Sequence, residues 1–188
     1  MISNKSTRKY LALLRGINVG GKNLIKMPDL KVCFEKMSFK NVTTYIQSGN
    51  VIFTSTENDI KQLTQKIENV LSETFSYKSK IVLLTSVQVS TIVNEAPNGF
   101  GAEPEEYKYD VLFLRDSIKA SEAMKSMRPR EGVDSIYEGP NVIYFSRLIS
   151  RAGQSYLSEI ISLPIYKEMT IRNWNTTSKL YTIMNESK

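Results

Sequence analysis

The amino-acid sequence predicts an α+β protein made of two tandem β-α-β-β-α-β units with additional helices, and three observations predict it. The same order of apolar strands and amphipathic helices runs through residues 1–85 and again through residues 86–188. Each half carries a hairpin signal between its second and third strands, Gln47-Ser48-Gly49 and then Glu138-Gly139-Pro140. The densest run of breakers, Pro97 to Glu106 (PNGFGAEPEE), interrupts the second half before its first strand and marks a linker or surface loop.

In the first half, Lys9 to Ile17 (KYLALLRGI) is a nearly continuous apolar run that suits a central strand covered on both faces. A glycine-containing loop, Asn18 to Lys26, leads to a helix expected over Met27 to Ser38. Pro28 suits its first turn, Asp29 suits the positive end of its dipole, and Leu30, Phe34 and Met37 share a face. Asn41 to Ile46 and Asn50 to Thr54 are β-branched and aromatic strands. Thr56 with Asp59 has the spacing of a capping box ahead of a helix in which Ile60, Leu63, Ile67, Val70, Leu71 and Phe75 recur at helical spacing. Lys80 to Leu84 (KIVLL) is the fourth strand.

The second half opens on an extra helix, Val87 to Ala96, halted by Pro97. Tyr107 to Leu114 is a strand, and Ser117 is placed to cap a helix whose apolar side is Ala120, Ala123, Met124 and Met127, ended by Pro129. Val133 to Tyr137 and Asn141 to Arg147 form the second hairpin. Ser150 to Ile161 reads as a helix weakened by Gly153, Lys167 to Ile171 as a strand, and Asn175 to Met184 as a terminal helix burying Leu180 and Ile183. Two such units are the ferredoxin-like, or α/β-plait, arrangement twice over. The right-handed crossover rule then puts both helices of a unit on one face of a sheet ordered 4-1-3-2. Strands such as Val111 to Leu114 are apolar on both sides, so the units are expected to pack on each other or on a partner chain.

Composition narrows the function. Hydrophobic residues make up 41% and charged residues 23%, which fits a folded globular chain. Cys33 stands alone, so no internal disulfide forms. The start, MISNKSTRKY, lacks the apolar core of a secretory signal, and the compartment expected is the cytoplasm with no membrane contact. With no histidine and one cysteine, neither a structural zinc site nor a Ser-His or Cys-His pair can be assembled from these residues; no metal site is expected, and the sequence leaves any other cofactor unknown. The formal charge is +6. Residues 1–40 hold nine basic side chains, Lys5 among them, against Asp29 and Glu35, while the remaining 148 residues hold 16 against 17. The excess positive charge is therefore all N-terminal, which favours an anionic partner or describes a solvated basic face.

In the expected sheet, the first and second strands run parallel with the third between them, so their loops emerge at one end. A strand spacing of about 4.8 Å puts the loop roots roughly 10 Å apart. Arg15, Asn18, Gly20, Gly21 and Lys22 from the first loop and Gln47, Ser48, Gly49 and Asn50 from the second are the candidate binding residues, with Lys26 nearby. Gly16 to Asn23 (GINVGGKN) approaches the phosphate-binding G-x-x-x-x-G-K-[ST] pattern. It departs from it at Asn23, which has no hydroxyl for magnesium, and in the distance to the next helix. A looser anion-binding nest and a plain tight connection both remain open. A second polar cluster, Arg172, Asn173, Asn175 and Thr176, flanks Trp174 at the last strand-to-helix junction, where a helix cap at Asn173, Asn175 or Thr176 with Trp174 as a core anchor is the favoured reading over a ligand contact.

The stretches LALLRGINVGGKN, YIQSGNVIF and MTIRNWNTTSKL, in this order and spacing, resemble the bacterial family labelled domain of unknown function 1697 across essentially the whole chain. The resemblance implies two α/β-plait domains and assigns no activity or catalytic residue. Binding of a small anionic or phosphorylated ligand at the loops after strands 1 and 2 is the first functional expectation. Single-stranded nucleic-acid binding is the alternative, although strand 3 (SGNVIF) lacks an aromatic-rich pattern and strand 1 offers only Tyr10 for stacking. A structural or partner-binding role, including a homo-oligomer, fits as well. Whether the chain is an enzyme stays open, since an acid or base would have to be Asp, Glu, Lys, Tyr or Cys33.

Overall fold

The computed structural model describes residues 6–186, so Lys5 lies outside the described residues. Contacts divide the chain into Met1–Val87 and Gln88–Lys188. Each unit holds one four-stranded sheet in which every neighbouring pair is antiparallel, giving a mixed α+β fold with two such sheets and several helices.

The first unit runs β1 (Arg8–Leu14), α1 (Met27–Lys36), β2 (Lys40–Tyr45), β3 (Asn50–Ser55), α2 (Ile60–Phe75) and β4 (Ile81–Thr85). Its strand order is β2-β3-β1-β4, the order expected from the crossover rule. Two antiparallel steps separate β1 from β2, so these two run parallel. Alternation along β1 sends Tyr10, Ala12 and Leu14 to the face covered by Leu30 and Phe34 of α1 and by Leu63, Ile67 and Leu71 of α2. Tyr10, Phe34, Phe39 and Phe53 meet there with ring centroids 4.4 to 5.9 Å apart. Each such buried side chain is worth about 1.5–3 kcal/mol of transfer free energy, which is why a 16-residue helix with a clean apolar face docks stably.

Several boundaries differ from the sequence expectation. β1 ends at Leu14 rather than Ile17 because Gly16 turns to φ +67°. α1 closes at Lys36, and Ser38 at φ +69° breaks it off. No capping box forms at α2: Asp59 itself is the N-cap, its carboxylate accepting from Gln62 N at 3.0 Å, and Thr56 lies outside the helix.

α3 (Ser86–Asn94) spans the boundary, its first two residues falling in the first unit, and the second unit continues with β5 (Tyr107–Leu114), α4 (Ala120–Lys125), β6 (Asp134–Gly139), β7 (Val142–Leu148), α5 (Leu157–Ile160), β8 (Met169–Asn173) and α6 (Trp174–Asn185). Its strand order is β6-β7-β5-β8. One sheet face buries Leu112, Leu114, Ile143 and Phe145 with Ala123, Leu157 and Ile160. On the other face, the Tyr144 hydroxyl donates to Ile92 O at 2.6 Å, and Phe100 stands edge-on to Tyr109, Tyr144 and Trp174.

Ser117 does not cap α4. Lys119 holds that position, and the Ser117 hydroxyl donates instead to Glu168 Oε2 at 2.9 Å. The helix expected over Ser150 to Ile161 is two pieces, a 3-10 turn at Ile149–Gln154 and the single turn α5. The break follows from Arg151 leaving helical angles and from Tyr156 N donating to Asp134 Oδ2, a partner from β6, at 2.9 Å. A further 3-10 turn, Pro164–Glu168, delays β8 to Met169. In α6, Thr177, Leu180 and Met184 face inward, while Ile183 is only half-buried.

Candidate functional site

The loop between β1 and α1 folds on itself as a miniature hairpin. Lys22 N donates to Val19 O at 3.1 Å across Gly20 and Gly21, whose φ values of +59° and +73° are those of a hairpin turn with both central residues left-handed. Asn18 N donates to Asn23 O at 3.2 Å, and the Asn23 amide donates to Gly16 O at 2.8 Å, so the legs are tied as well. Four residues separate Lys22 from the start of α1 at Met27. The amides therefore serve a hairpin, not the N-terminus of a helix, which physically separates this loop from a P-loop.

Asn18 is the pin of the arrangement. Its Oδ1 accepts from Ile25 N at 2.8 Å, while its Nδ2 donates to Ile25 O at 2.9 Å and to Gln47 O at 2.8 Å. The first pair imitates a backbone ladder, and the third bond joins the β1–α1 loop to the β2–β3 turn. The two loops predicted to converge thus meet directly. Asn50, fully buried, donates from Nδ2 to Tyr45 O at 2.9 Å and to Ser48 Oγ at 3.0 Å, holding the turn closed from inside. Leu14 N donates to Gly49 O at 2.8 Å.

Apolar contact fills the room between the loops. Ile17 is 1% exposed, and a Cβ added at Gly49 would sit 2.5 Å from Ile17 Cδ1 and 2.9 Å from Leu14 Cβ. Glycine stands at position 49 because no side chain fits there and because φ is +76°. Of the candidate residues, Asn18, Gln47, Ser48, Gly49 and Asn50 are thus brought together in a mutually bonded joint. Arg15, half-buried, sits at the root, its N–H donating to Lys80 O. Gly20, Gly21 and Lys22 are exposed on the hairpin with Val19, which is 68% exposed, while Leu24, 75% exposed, and Lys26, the N-cap of α1, are exposed between the hairpin and the helix.

The second cluster lies in the second unit. Asn173 is the N-cap of α6: its side-chain oxygen accepts from Asn175 N at 3.0 Å, and its Nδ2 donates to Tyr109 O at 3.0 Å. Arg172 is buried on β8, donating from Nη1 to Thr170 Oγ1 at 2.8 Å and to Ile171 O at 2.9 Å. Burial pulls its pKa down to about 10, with the nearby Tyr166 acting in the opposite sense. Asn175 is exposed and Thr176 half-buried on the first turn of the helix. Trp174 packs edge-on against Phe100 at 5.2 Å.

Cys33 is a core residue, 4% exposed, and burial pushes its thiol up from the ordinary value against the Thr74 contact. Among the described residues, no group of three His, Cys, Asp or Glu side chains could hold a metal ion. Sequence reasoning did not find a cavity of about 670 Å³ near the N-terminal end of β1, where Lys66 lies 5.1 Å over the Phe39 ring and donates to Met37 O at 3.1 Å. The structural feature beside it, a register shift in β2 between Lys40 and Thr43 with Asn41 at φ +52°, leaves no pattern in the sequence that could have marked it.

Comparison with known proteins gives the following. The family described as "Protein of unknown function (DUF1697)" matches residues 7–144, which includes both loops of the joint and leaves Arg172 to Thr176 outside the matched span. Among solved structures, the conserved bacterial protein SP0830 from Streptococcus pneumoniae is similar, with a TM-score of 0.84 and 24% identity over 96% of this chain and 100% of that one. That likeness speaks for the fold alone. No curated protein sequence matches the chain.

Proposed function

The chain belongs to the DUF1697 family, and from that premise we propose that it is a binding module whose β1–α1 hairpin engages an anionic, phosphate-bearing ligand. Its two units are read as ferredoxin-like plaits, and its site of action as the cytoplasm. No helix among the described residues is long and apolar enough to cross a membrane.

The observation that carries the proposal is the form of the hairpin. Its internal polar groups bond to one another, so the loop is held in one conformation, yet it presents Lys22 outward, with Lys26 exposed just beyond it at the N-cap of α1. A backbone already fixed in its bound form adds no ordering cost of its own on binding, so the attraction of the exposed lysines for a phosphate is offset only by their side-chain entropy. Because Ile17 fills the space between the loops, the ligand is expected on the outer face of the hairpin rather than enclosed between β1 and β2. Nucleic acid is the weaker reading, since Tyr10, the stacking candidate of strand 1, is fully buried and its hydroxyl donates to Glu57 O.

Thermal-shift titration with inorganic phosphate, nucleotides and sugar phosphates at low salt tests the proposal. A stabilising ligand is expected whose effect fades as salt rises and disappears in Lys22→Ala combined with Lys26→Ala. A uniformly blank screen, or a hit indifferent to both lysines, overturns it. Binding of single-stranded RNA alone would hand the same hairpin to nucleic acid.

A further inference from the structure

The second unit contains an aromatic pocket whose chemistry is opposite to that of the hairpin. Residues 94–107 hold Glu95, Glu103, Glu105 and Glu106 and no lysine or arginine, in a chain whose net charge is +6. This acidic segment runs beside the sheet and, through Pro97 to Phe100 and Glu103, forms one side of a cavity of about 220 Å³.

The cavity follows from the register of β5, β7 and β6. Tyr109 pairs with Ser146, and Ser146 pairs with Ser135, so two small side chains occupy adjacent places in one row of the sheet. The flanking positions on the same face are aromatic: Tyr107 on β5, and Tyr137 paired with Tyr144. Two serines among tyrosines leave a recess floored by hydroxyls. Phe100 bounds it from the loop, 5.0 Å edge-on to Tyr109, and Tyr107 lies 6.2 Å from Tyr109. Strand alternation sends the nearby cations Lys108 and Arg147 to the opposite face, where Arg147 Nη2 lies 3.3 Å from Asp110 Oδ2.

We propose that this recess binds a small organic cation bearing a quaternary ammonium group. Ring faces carry negative potential and attract such a cation within about 6 Å of the centroid. Glu103, which lines the recess and whose N–H donates to the Tyr109 hydroxyl, brings a carboxylate to its rim as the countercharge that a row of tyrosines lacks. A quaternary ammonium donates no hydrogen bonds, so it enters an aromatic recess without leaving a donor unpaired. Tyr137, 46% exposed, leaves the mouth open.

The protein carries its own reporter. Trp174 is the sole tryptophan and stands 5.2 Å from Phe100. The full-length protein is titrated with choline and, separately, with 3,3-dimethylbutan-1-ol, the uncharged isostere in which carbon replaces the ammonium nitrogen. Tryptophan emission and isothermal calorimetry are read in parallel. Saturable binding of choline is expected, with the neutral isostere at least about tenfold weaker, and with Tyr137→Leu and Glu103→Gln each weakening choline by about fivefold. Tyr137 and Glu103 are both exposed, so the variants are expected to fold, and an unchanged thermal midpoint verifies it. Equal affinity for the two isosteres makes the recess merely apolar and overturns the proposal. So does the absence of saturable heat at high choline, whatever the emission does. Neither result bears on the phosphate reading of the hairpin, whose lysines lie in the first unit.

Discussion

Replacing Asn18 tests whether the glycine-rich loop is built as a joint. In Asn18→Gly the positive φ of +53° is retained without penalty, but all three side-chain hydrogen bonds are lost. The two bonds to Ile25 are partly buried, and each contributes about 0.5–1.5 kcal/mol net. The bond to Gln47 O is exposed, so water replaces much of it. The expected loss is therefore about 1.5–3 kcal/mol. Asn18→Ala loses the same bonds and in addition places an ordinary side chain in the left-handed region, adding about 1–2 kcal/mol. Urea unfolding followed by circular dichroism reads the difference. At a slope of about 1–3 kcal/mol per molar, the glycine variant should fall in midpoint by roughly 1 M and the alanine variant further. If Asn18→Gly unfolds where the parent does, the side chain is not the pin and the rigidity on which the hairpin proposal stands is gone. If glycine and alanine unfold together, the left-handed backbone is not maintained in solution.

Two further perturbations probe neighbouring claims. Gly49→Ala and Gly20→Ala share a positive φ, costing about 1–2 kcal/mol each, but only at Gly49 does the new Cβ meet Ile17 and Leu14; nothing lies within 4 Å at Gly20. Gly49→Ala should thus be worse by a further overpacking cost of about 1–3 kcal/mol, and equal midpoints in urea would contradict the close packing beneath the turn. Asp110 sets a pH dependence: burial, only partly opposed by Arg147 and then Lys108, raises its pKa above the usual 3.8. The folded state then holds this proton more tightly than the unfolded chain, so the contribution of Asp110 to stability declines as pH rises from about the unfolded value through the raised folded one. Urea midpoints of the parent minus those of Asp110→Asn, measured across the acid range, should fall with rising pH; a difference that rises instead would refute the assignment.

The order of elements was legible because it rests on local signals. Apolar runs, hairpin residues and helical spacing are properties of a few consecutive residues, and β5 begins and ends where the sequence pattern places it. Strand order followed from chain connectivity, and with it the meeting of the Asn18 and Gln47 loops. The errors fall where a distant residue competes with a local preference. Ser117 has the chemistry of a cap, but Glu168, brought up by the turn before β8, takes its hydroxyl. Ser150 to Ile161 has helical spacing, but Asp134 captures the N–H of Tyr156 and leaves a single turn. Asn173 has the chemistry of a cap or of a ligand contact, and the fold settles it by setting Tyr109 O and Asn175 N against its amide.

The sequence by itself determined that this is an α+β chain with two hairpin-bearing halves, and that its cationic excess and its glycines are concentrated toward the first loop. Periodicity and charge are written along the chain and need no partner to be read. Only the tertiary structure decided what fills the space between the loops and where a recess opens in a sheet. Both depend on which side chains from separate strands stand side by side: Ile17 beneath Gly49 closes one site, and Ser135 beside Ser146 opens another.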